Sequence, residues 1–94
     1  MAGADALAYE SVRLKTQTLL IDFLRIELKL GHTFADSASI AKAEDHTDHY
    51  HSAKANAARA AASIRHFMAE VTDASAREDF ARQLAALDRV LSSL

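Results

Sequence analysis

From Val12 to Ala41 apolar side chains recur at steps of three, four or seven: Val12, Leu19, Phe23, Ile26, Leu30, Phe34, Ala38 and Ala41. Such steps return a side chain to one side of a helix every turn or two, so the pattern predicts a long amphipathic helix over residues 5–43. Gly31 falls inside this run and costs about 1 kcal/mol relative to alanine in a helix interior. Because the apolar phase continues to Phe34 and Ala38, Gly31 reads as a point of close helix approach, with a kink there as the alternative.

Residues 44–48 carry no apolar side chain, and Asp45 or Thr47 is suited to cap the helix that follows. Beyond this turn His46, Tyr50, Ala53, Ala57, Ala60, Ile64, Phe67 and Val71 alternate steps of four and three. That seam predicts a second helix over residues 46–70, packed along its whole length. Thr72, Asp73 and Ser75 break the pattern, and Ser75 with Glu78 has the spacing of a capping box. A third helix over residues 75–93 follows, with Phe80, Leu84, Leu87, Leu91 and Leu94 as a single narrow stripe. The fold class expected is all-α: an antiparallel three-helix bundle, with one long helix forming a hairpin with the second and a shorter third helix beside them.

The first helix carries a second apolar group: Leu14, Leu20, Ile21, Leu24 and Leu28 lie roughly 140° from the first at 100° per residue. The second helix has its own additional stripe of small residues, Ala55, Ala58, Ala62 and Ala69. A bundle gives each helix two neighbours, which accounts for two faces in an ordinary way. The first helix nevertheless looks more apolar than two neighbours require, which points to self-association through Leu14, Leu20, Ile21, Leu24 and Leu28. On this reading a charge at Leu24 leaves a folded monomer.

Composition narrows the class further. The chain has 94 residues, no cysteine, no proline and two glycines. One domain is expected at that length, held by packing alone, because neither disulfides nor a thiolate metal site is available. Good helix formers dominate, and their alanine and arginine bias is of the kind met in GC-rich bacteria. The net charge of −2 and pI near 6.2 provide no field for nucleic acid or anionic membrane. No run is apolar enough to span a bilayer, and Met1 to Glu10 lacks the pattern of a secretory signal. A soluble, cytoplasmic protein without a nucleic-acid or membrane partner is the expectation.

Candidate chemistry is sparse. Glu44, Asp45, His46, Asp48, His49 and His51 cluster around the first turn, with His46 and His49 three apart and Asp45 and His49 four apart. Imidazole and carboxylate at such spacings suit zinc or a similar ion, so Asp45, His46 and His49 are the metal candidates. A metal-binding helical protein, completed across a dimer, is therefore the alternative function. The competing reading is a polar turn of helix-capping acids and solvated histidines. His32, Asp36, Ser37 and Ser39 hold the letters of a nucleophile, base and orienter, but a helix spreads them around its circumference. Lys54, Arg59, Arg65 and His66 form an acid-free stretch that is equally scattered. With no glycine-rich phosphate loop and no catalytic motif, neither an enzyme nor a bound cofactor is expected.

Leu30, Gly31 and Phe34, followed by Tyr50 and Ala53, resemble the helix pair of a tetratricopeptide repeat, in which leucine and glycine precede an aromatic by the same steps. The order of long helix, alanine-rich helix and short leucine-striped helix is similar to that of microtubule-interacting and transport domains. Both resemblances imply a module that binds short peptides in grooves between helices, as a protein-protein interaction or self-assembly unit. A protein partner or a second copy of the chain is the expected ligand.

Overall fold

The structure, a computed structural model, describes the backbone of residues 2–94 and the side chains of residues 16–94. Three helices follow one another: α1 (Ala2–Ala43), α2 (Thr47–Met68) and α3 (Ala74–Ser93), with no strand among the described residues. Helix α1 is continuous through Gly31. Gln17 on α1 meets the turn after α2, so the first two helices run antiparallel. Helix α3 reverses again and brings Leu94 beside Lys42 and Tyr50.

The two turns have distinct local causes. At the end of α1 the His46 amide donates to the Ala41 carbonyl at 2.8 Å and the Asp45 amide to Lys42 at 3.3 Å. These are the two bonds of a Schellman motif, and they place Asp45 in the left-handed region with φ 60°. Aspartate tolerates that conformation better than most side chains, although glycine is the usual occupant. The cap of α2 is therefore His46, without a side-chain bond, and neither Asp45 nor Thr47 as the polar pattern suggested. At the second turn Asp73, not Ser75, caps α3, its carboxylate accepting from the Ala76 amide at 2.9 Å.

Gln17 ties this second turn to α1. Its side-chain nitrogen donates to the Glu70 carbonyl and its oxygen accepts from the Thr72 amide, both at 3.0 Å. The amide thus satisfies two backbone groups of the turn between α2 and α3. Arg77 donates to the Val71 carbonyl in the same turn, while the Val71 side chain is buried.

The core is graded in side-chain size. Leu24 and Leu28 of α1 meet Ile64, Val71, Phe80, Leu84 and Leu87 in one cluster. Toward the first turn the buried residues shrink to Gly31, Ala35, Ala38 and Ala41 on α1, opposite Ala53, Ala57 and Ala60 on α2. A Cβ built on Gly31 would lie 2.7 Å from Leu87 Cδ2 and 3.4 Å from the Ala60 Cβ. Gly31 is thus where α2 and α3 both press on α1, and the absence of a side chain there makes room for Leu87.

The buried row of α1 is Leu24, Leu28, Gly31, Ala35 and Ala38. It combines Leu24 and Leu28 of the second apolar group with Ala38 of the first, and the reason is geometric. Leu19, Phe23, Ile26 and Leu30 advance by four, three and four, but the next steps, to Phe34 and Ala38, are both four. Two such steps rotate the row by about 80°, so its second half turns into the bundle while its first half faces out.

Candidate interaction surface

Leu19, Phe23, Ile26 and Leu30 fall within about 60° of arc on α1. They are 62%, 38%, 58% and 41% exposed. Phe23 is the most covered because its ring meets Phe67 of α2 edge-on, with centroids 5.5 Å apart. Beside it Thr16, Leu19, Leu20, Phe23, Phe67 and Glu70 line a shallow, mainly apolar groove. Beyond Leu30 the row continues through Thr33, whose hydroxyl folds back onto the Lys29 carbonyl at 2.9 Å, to exposed Ile40.

The residues expected to form an interface are placed differently. Leu24 and Leu28 are 0% and 4% exposed inside the protomer's own core, and Leu20 and Ile21 pack against that core half-buried. Leu14 lies outside the described residues. The surplus of apolar surface on α1 is real, but it sits about 130° away, on Leu19, Phe23, Ile26 and Leu30 of the first apolar group. A charge at Leu24 is accordingly expected to unfold the chain and not to yield a folded monomer.

Asp22 and Lys29, seven residues apart, border the exposed row on one side, and Leu20, Glu27 and Phe34 border it on the other. Asp22 makes a long i,i+3 pair with Arg25 at 3.8 Å, both well exposed. Among the described residues Lys29 has no carboxylate partner.

The polar turn around Asp45 does not assemble a ligand set. Asp45, Asp48, His49 and His51 are all exposed, and His46 Nδ1 lies 3.6 Å from a Glu44 oxygen with both side chains mostly in solvent. No three histidines and carboxylates converge on one point among the described residues. Asp45, His46 and His49 are therefore not brought together within one protomer. The basic residues of α2 are each engaged locally: Arg65 in a two-pronged pair with Asp88 at 2.8 and 3.1 Å, Arg59 with Asn56, Lys54 with the Tyr50 hydroxyl. His66 rests edge-on against Phe67. His32, Asp36, Ser37 and Ser39 share no hydrogen bond. On α3 Arg82 pairs with Asp79, three residues before it, at 3.1 Å. The outer stripe Ala55, Ala58, Ala62 and Ala69 is exposed and featureless.

No helix among the described residues is long and apolar enough to cross a membrane. No protein-family model matches the chain, and neither curated proteins nor solved structures yield a match.

Proposed function

We propose that the chain is a protein-interaction module whose working surface is the row Leu19, Phe23, Ile26 and Leu30 on α1. One observation carries the reading. Four large apolar side chains stand exposed at helical spacing on a helix whose opposite side is already committed to the protein's own core. A contiguous patch of this kind on a small domain marks a surface that is covered in use. The spacing suits a helix laid alongside, since steps of four and three present a seam for side chains of a second helix to interlock with. The resemblance to tetratricopeptide and microtubule-interacting and transport domains supports a binding role in the same way, by pattern.

A photoreactive phenylalanine analogue placed at Ile26 in cells tests this. It is expected to yield a discrete covalent adduct, to a second copy or to another protein, whereas the same group at Ala62 on the outer side of α2 yields none. Equal labelling at both positions, or no adduct at Ile26, refutes the reading.

A further inference from the structure

We infer that the occupant of this surface is a second copy of the chain, with the two α1 helices antiparallel and the two-fold axis passing between residues 24 and 25. The inference rests on the interaction reading above and adds the partner and its orientation. Its basis is the charge that borders the apolar row.

With the axis there, Leu19 of each copy faces Leu30 of the other, and Phe23 faces Ile26. Four apolar layers result, with no polar side chain among them. On the flank, Asp22 of each copy then stands opposite Lys29 of the other, giving two symmetric pairs of opposite charge. Lys29, which lacks a carboxylate within the described protomer, gains one. The opposite flank sets Glu27 against Leu20, so no like charges meet.

The parallel arrangement fails on the same residues. In-register parallel helices place Asp22 of one copy against Glu27 of the next heptad in the other, twice per dimer. Two carboxylate pairs at the edge of an apolar seam repel and lose hydration together. The antiparallel arrangement also has a receptor for its outermost side chain. Leu30 of the second copy arrives beside Leu19, at the mouth of the groove lined by Phe23, Phe67 and Glu70. A heterologous helix could present leucines to this row, but it would not have to carry the matching charges at the matching interval; this chain does.

The protein has no cysteine, which allows a direct test of orientation on the full chain. Leu19→Cys and Leu30→Cys variants are prepared separately; both positions are exposed, so neither substitution disturbs the core. Mild oxidation of the mixture is expected to give a disulfide-linked heterodimer, while each variant alone gives little. A disulfide formed readily by Leu30→Cys alone reports a parallel pair and overturns the orientation. Sedimentation of the wild-type chain at high micromolar concentration should give the dimer mass. Asp22→Lys should raise the dimer dissociation constant by about tenfold, and Asp22→Lys with Lys29→Asp should restore it to within about threefold. A double variant no tighter than the single one overturns the proposed pairing. A wild-type monomer with an Ile26 adduct to another protein refutes self-pairing and leaves the interaction reading standing; a monomer with no adduct removes both.

Discussion

Leu24 and Ile26 are two positions apart and meet opposite environments, the first sealed in the core and the second 58% exposed. The burial predicts unequal consequences for the same truncation. Leu24→Ala should cost about 2–5 kcal/mol in urea unfolding, because the side chain and its cavity are both lost. Ile26→Ala should cost less than about 1 kcal/mol in dilute protein. Equal losses would show that the two rows of α1 are not separated as described. At this scale the sequence was only half legible. Both rows have helical spacing, and apolar spacing alone does not distinguish the one that faces α2 and α3. Gly31 was the usable signal: taken as the point of closest approach, it belongs with Leu24, Leu28, Ala35 and Ala38, not with Leu30 and Phe34. The caps are ambiguous in the sequence for a related reason. Asp45, Thr47, Asp73 and Ser75 all have capping side chains, and only the path of the chain through each turn selects His46 and Asp73.

At the level of helices the reading was far more complete. Residues 44–48 and 72–75 are polar breaks in strong apolar periodicity, and the observed helices end within a few residues of them. The α3 stripe was also legible, since Phe80, Leu84 and Leu87 are buried and Leu91 and Leu94 partly so, and a helix with one apolar side has one way to pack. What joins the elements is less visible in the chain, as Gly31 illustrates. Gly31→Ala gains about 1 kcal/mol of helix propensity, but the new methyl forces the end of the fully buried Leu87 side chain to shift within a packed core. The net effect should be a loss of about 1 kcal/mol. In a Leu87→Ala background, where the collision is gone, the same substitution should stabilise by about 1 kcal/mol. A double-mutant cycle measures the difference, and additivity would mean that α1 and α3 do not touch there.

For the whole molecule, a chain of 94 residues buries a limited core, so covering the exposed row matters to stability as well as to recognition. If two copies associate, mass action stabilises the folded state, and the midpoint of thermal unfolding should rise with protein concentration. Ile26→Glu should remove that dependence while leaving the circular dichroism spectrum of dilute protein unchanged. A wild-type midpoint that stays constant over a hundredfold concentration range, about the span that such linkage needs to show itself, argues against self-association.

The bare outer side of α2 has a practical consequence. Ala55, Ala58, Ala62 and Ala69 give a visitor little to grip, and they belong to a different helix from the apolar row. A fluorophore or surface tether attached at Ala58 would leave that row open to solution, offering a handle for watching assembly one molecule at a time.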